Sequence, residues 1–180
     1  MKLFSFSVSH VAVLPCLLLL ASVLPMAGQE MAGMGHARAE RSTMLTLTVN
    51  GASTQLTPRE LASMPQTTLK VHNEHSNRDE TYTGVAVADL LARAGMALSK
   101  ETQTRLLHSY LRAQGTDFYF VLYSAAEVMP GLRDGSVIVA TRMNGQDLGD
   151  DGSLKLVSSG DKKPARWVRN LTSLTLATLN

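Results

Sequence analysis

One cysteine, Cys16, and one tryptophan, Trp167, occur in 180 residues, and aromatic side chains make up 5% of the chain. Cys16 follows Pro15 and precedes four leucines. A lipidated cysteine would instead close an apolar run after small residues, so this one does not read as a lipid anchor. Beyond Cys16 there is no thiol, which excludes disulfides, thiolate metal sites and cysteine nucleophiles from the rest of the chain. An excess of one charge sign is also missing: 17 Lys and Arg face 15 Asp and Glu, a formal net charge of +2. Such a near-neutral chain is not built to bind nucleic acid or an anionic membrane as a general partner. Nor is there a phosphate-cradling glycine motif or a nucleophile elbow; Ser158 and Ser159 lie near Gly160 and Asp161 with no positioned histidine.

What is present begins with an export signal. Lys2 supplies a thin positive start, and Val11 to Leu24 is apolar apart from Pro15, Cys16 and Ser22. This run is short for a membrane span, and no second one follows. Small residues near Met26-Ala27-Gly28 suit cleavage; Ala37-Arg38-Ala39 also fits the rule but lies far from the apolar stretch. The reading is therefore a signal over residues 1–28, removed to leave a periplasmic or secreted protein that no longer contacts the membrane. Loss of Lys2 takes the 17 basic residues to 16 against 15 acidic ones. Roughly 150 residues remain, enough for one domain with one core.

Residues 29–43 belong to a small, polar, aperiodic stretch expected to be a flexible mature terminus. Met26, Met31, Met34 and His36 in and beside it are soft ligands of the kind that hold Cu(I), which leaves a copper-binding role open. The domain is expected over residues 44–180. Leu45, Leu47 and Val49 alternate with threonines ahead of an Asn50-Gly51 turn, which predicts a strand. Thr57, Pro58 and Glu60 form a capping-box start for a short helix that Pro65 ends. "TTLKVHNEH" reads as a strand, "SNRDE" as a turn and "TYTGV" as the returning strand. Val87, Leu90, Leu91 and Ala94 share one helical face before Gly95. Two strands around Gln114–Asp117, a short helix opened by Ser124 and Glu127, a buried strand in "GSVIVATRM", an Asn144-Gly145 turn and final strands in "SLKLVSS" and "RWVRNLTSLTLATL" complete the chain. Many short strands with a few short helices predict an α+β domain with a mixed or mainly antiparallel sheet.

The ordered series "TLTVNG", "LTPRELASMP", "YTGVAVADLLARAG" and "NGQDLGDDGSLKLVSSGDKKPARWVRNLTSLTL" resembles the molybdopterin-binding domain of the sulfite oxidase family, over about residues 44–177. The last piece follows that family's "NG-x-PL … G-P-x-R-L-V-x-P-G … K-W-V-x-x-I" ending. Small exported single-domain relatives match better than the larger enzymes. The resemblance implies the sulfite oxidase-type fold and a molybdenum pterin cofactor. In the family's enzymes the strand before the W/Y-x-G element carries a cysteine whose thiolate ligates molybdenum. Aligned there, "TTLKVHNEH" puts Val71, within a residue, at that place.

The same resemblance directs Lys162, Lys163 and Arg166, beside Trp167, toward the cofactor's phosphate; on residue type alone, this basic loop could take any small anion. It also places the "VHNEH" hairpin along the binding rim, so that His72, His75 and Arg78 join those three in a pocket. Strand alternation sends His72 and His75 to opposite faces unless a turn begins near Asn73, and puts His72 with Glu74. The expectation is an exported binding or accessory module for a small anion, a polar ligand or a periplasmic protein, with no thiolate-ligated molybdenum. An oxidoreductase holding a molybdenum pterin through water, His72 or His75 is the alternative.

Overall fold

The computed structural model describes residues 40–179. Asn50 and Gly51 both take positive φ, +52° and +79°, so they form the two-residue turn that hairpins prefer. That turn joins β1 (Leu45–Val49) to β2 (Ala52–Leu56). Next come α1 (Pro58–Ala62), β3 (Thr67–Asn73), β4 (Arg78–Ala86), α2 (Val87–Arg93), α3 (Lys100–Leu107), β5 (Ser109–Gly115) and β6 (Phe120–Ser124). After β7 (Val137–Met143) and β8 (Lys155–Ser158), β9 (Leu171–Thr178) ends the described region. Thr57 caps α1 through the expected box: its Oγ1 accepts from the Glu60 amide at 3.2 Å, and its own amide donates to Glu60 Oε2 at 2.7 Å.

These strands form two sheets, not one. A five-stranded sheet runs β2-β1-β9-β5-β6, with β1 parallel to β9 and its other pairs antiparallel. A four-stranded antiparallel sheet runs β3-β4-β7-β8. The main core joins Leu45, Leu47, Leu111, Leu174 and Leu176 of the first sheet to Val85, Val139 and Leu156 of the second, with Leu90 and Leu91 of α2. The other face of the four-stranded sheet carries a smaller cluster of Leu69, Val71, Tyr82, Ile138, Ala140, Leu148, Val157 and Trp167. β7 is covered on both faces, which is why "VIVA" is an unbroken apolar run instead of an alternating one. The α+β architecture with mixed pairing agrees with the sequence reading.

Two elements escape the hydrophobic pattern. β2 is an almost wholly exposed edge strand, and α3 buries only Leu106, so neither carries a periodic apolar stripe. α3 starts on a Ser99–Thr102 capping box, and the following strand begins at Ser109. Of the presumed flexible terminus, residues 40–43 are seen, and they are tied down. Thr116 Oγ1 donates to the Glu40 carbonyl at 2.8 Å, Arg41 Nη2 to the Gly149 carbonyl at 2.9 Å, and the buried Ser42 gives its amide to Asn170 Oδ1 at 3.2 Å. The segment expected to be an export signal, and Met26, Met31, Met34 and His36, lie outside the described residues.

Candidate functional site

β3 and β4 turn Leu69, Val71, Asn73, Glu80 and Tyr82 to one buried face. Val71 pairs with Glu80 across the ladder, so the hydrocarbon at the place of the enzymes' cysteine stands next to a buried carboxylate. That carboxylate is fully engaged. Tyr82 Oη donates to Glu80 Oε2 at 2.7 Å, Asn73 Nδ2 to the same oxygen at 2.9 Å, and Ser76 Oγ to Oε1 at 2.9 Å. Burial pushes the Glu80 carboxyl up, but these donors and the nearby Lys155 charge outweigh it and leave it below its ordinary range. Burial, reinforced by Glu80, drives the Tyr82 phenol far upward, so it remains a donor.

Lys155 closes the network from β8. It is 5% exposed, and its Nζ donates to Asp151 Oδ2 at 2.6 Å and to Tyr82 Oη at 2.8 Å. The ammonium also lies 4.8 Å from the Tyr82 ring centre and 5.2 Å from that of Trp167. Trp167 meets Tyr82 edge-on at 5.7 Å and anchors its Nε1 on the Ser158 carbonyl at 3.1 Å. A lysine so deeply placed is tolerable because a carboxylate, a phenol oxygen and two aromatic faces replace its water.

This network floors a cleft of about 720 Å³ between the hairpin turn and the basic loop. Asn73, Glu74 and His75 form one wall, and Lys163, Pro164, Ala165, Trp167 and Arg169 the other, above Asp151 and Lys155. Asn73 shapes its turn by accepting from the amides of His75 at 3.0 Å and Ser76 at 3.4 Å. The cations Lys155, Lys163 and Arg169 outnumber Glu74 and Asp151, so the cleft suits a small anion that also offers hydrogen-bond donors.

Of the six residues expected to line a pocket, His75 and Lys163 do. His72 shows the opposite face of β3, where its Nδ1 lies 3.0 Å from Asp79 Oδ1 in place of the Glu74 pairing expected from sequence; the strand partner, not the next residue but one, is its neighbour. The Asp79 hydrogen bond raises the His72 pKa, and the same contact, followed by Lys70, lowers that of Asp79. Arg78 opens β4 and Lys162 begins the basic loop; both are exposed and outside the cleft lining.

Arg166 is committed elsewhere. It binds Glu127 Oε1 at 3.1 Å, pairs with Asp161 and lies 4.3 Å from the centre of the Tyr123 ring. Its pKa is raised, because Asp161 and Glu127 outweigh burial, which alone would lower it. The sequence reading missed Lys155, Asp151, Asn73 and Arg169. A lysine inside the apolar "LKLV" was the available signal, since such a residue needs a buried partner.

A family model described as the oxidoreductase molybdopterin binding domain matches residues 36–178. The chain belongs to that family. Among solved structures, this molybdopterin-binding-domain chain is similar to the sulfane dehydrogenase SoxCD from Paracoccus pantotrophus, with a TM-score of 0.55 and 19% identity. The match covers 78% of this chain and 39% of the SoxCD chain, and it shows the shared fold. No curated protein matches the sequence.

The domain's donor set does not fit the family's thiolate-held molybdenum. Residues 40–179 contain no cysteine, and Val71 is packed among Leu69, Tyr82 and Trp167. Nor, among the described residues, do three or more His, Cys, Asp or Glu side chains gather as a metal-binding group.

Proposed function

We propose that this protein is an exported binding or accessory module of the molybdopterin-binding-domain family, which takes a small anionic or polar ligand in the cleft between residues 73–75 and 163–169. The observation that carries this reading is Val71: an apolar, buried side chain occupies the place that the family resemblance gives to a metal thiolate. The rest of the cleft supports binding in place of redox chemistry. Lys163, Arg169 and His75 supply donors at the walls, while Lys155 and Asp151 are held in place by Tyr82, Glu80 and Trp167. Ligand recognition then needs no rearrangement of the floor. Among the described residues, no helix is long and apolar enough to cross a membrane.

An oxidoreductase with a molybdenum pterin held without cysteine is the second reading, and the position of His75 on the cleft wall favours it. His72 does not serve it, being turned to the other face. Elemental analysis with pterin fluorescence, on protein exported from a molybdenum-sufficient bacterial host, separates the two. Neither signal is expected, together with anion binding that weakens when Lys163 and Arg169 are changed to glutamine. Near-stoichiometric molybdenum with pterin would overturn the first reading in favour of the second.

A further inference from the structure

A second recess, of about 270 Å³, is lined in part by Asp147, Leu148, Gly152 and Ser153 of the segment between β7 and β8. Three arginines line it from three parts of the chain: Arg41 ahead of β1, Arg59 in α1 and Arg142 in β7. Asp147 is the one acidic residue in its lining, and Thr141 and Ser153 add hydroxyl groups. Among the described residues, none of the three guanidinium groups forms an ion pair. Their side-chain hydrogen bonds among the described residues go to backbone carbonyls: Arg41 to Gly149 at 2.9 Å, and Arg142 to Gly145 at a weak 3.4 Å. Most of their donors are therefore unspent among the described residues, whereas Arg133 and Arg166 elsewhere in the fold are each neutralised by carboxylates.

The walls are held in register by one residue. Asn170, buried and at φ +48°, accepts from the Ser42 amide beside Arg41, and its own amide donates to the Asp151 carbonyl at 2.8 Å. Gly152 lies so close to it that an added Cβ would come within 2.0 Å of Asn170 Oδ1. Leu148, 2% exposed, fixes the other end of the loop in the small apolar cluster. The spacing of Arg41 from the Gly152–Ser153 wall is thus set by packing, which reduces the ordering cost of binding.

We propose that this recess is a binding site for a small dianionic oxyanion of the sulfate or phosphate type. Three positive charges against one negative leave a surplus of two, which a dianion cancels and a monoanion does not. Guanidinium forks match paired oxygens of such an ion, and the hydroxyls of Thr141 and Ser153 suit the remaining ones. The volume equals about nine waters at roughly 30 Å³ each, room for one oxyanion with a few waters. The site shares no lining residue with the cleft, so it stands or falls independently of the function proposed above.

The test is an amide NMR titration of the exported protein with sodium sulfate and then sodium phosphate, at ionic strength fixed with sodium chloride. Saturable shifts are expected at Arg142, Gly152 and Ser153, unchanged in Lys163→Gln. Arg59→Gln and Arg142→Gln each weaken them by about tenfold, the value of one charge-assisted contact. Both side chains are exposed, so the variants retain the fold, which far-UV circular dichroism verifies. Shifts that never saturate, equal binding of nitrate, or affinity that survives the double variant would each overturn the proposal.

Discussion

Val71 and Lys155 are opposite cases of residue placement on the same face of one sheet. Val71 fills apolar space and is 8% exposed, so Val71→Cys restores the family's residue type without restoring a reachable ligand. The variant is expected to fold with a loss on the order of 1 kcal/mol. Its thiol should react slowly with a disulfide reagent in native buffer and fully in denaturant; rapid native labelling would mean that the Val71 position opens to the cleft. Lys155→Ala is far costlier, about 3–5 kcal/mol in a urea melt, because Asp151 loses its partner in a largely covered site. Lys155→Met keeps more of the packing against Tyr82 and Trp167 and should fall between that variant and wild type. On the outer face, His72 should titrate by NMR above the ordinary histidine midpoint, and Asp79→Asn should bring it back down.

At the scale of elements, the pairing of β4 with β7 contains a bulge whose extra residue, Thr141, lies on β7. The register shifts between Thr83 and Gly84, and a Cβ on Gly84 would lie 2.0 Å from the Val139 carbonyl oxygen. Gly84→Ala therefore drives β4 from β7, with an expected loss of roughly 3 kcal/mol or more in a thermal or urea melt. Thr57→Ala, which removes the α1 cap, should cost only about 1 kcal/mol in the same assay. Elements with a local chemical signature were legible in the sequence: the α1 capping box, the Asn50-Gly51 turn and the alternating β1 and β3. β2 and α3 were not, because each keeps almost no apolar face and is held by neighbours. The walls of the cleft were legible, since residues of the "VHNEH" turn and of the basic loop line it. Its membership was not. Whether Arg166 faces the cleft or Asp161 and Glu127 is settled by contacts 5 and 39 residues away, and the partners of Lys155 come from β4 and the 149–151 turn.

For the whole molecule, acid stability should carry the mark of Glu80. Its carboxyl is held below the ordinary range in the folded state, so the stabilisation is complete above the unfolded carboxylate pKa, near 4.3. It is lost as pH falls through the lower, folded value. Urea midpoints measured from pH 6 down to pH 3 should drop less steeply in Glu80→Gln than in wild type; parallel curves would show that Glu80 is not a source of the acid sensitivity. The larger sheet adds a constraint of timing. β9, the last strand, sits between β1 and β5, so the sheet has no centre until residues 171–178 exist. In that sheet the first strand therefore waits for β9. A premature stop anywhere before β9 is then equivalent to losing the five-stranded sheet.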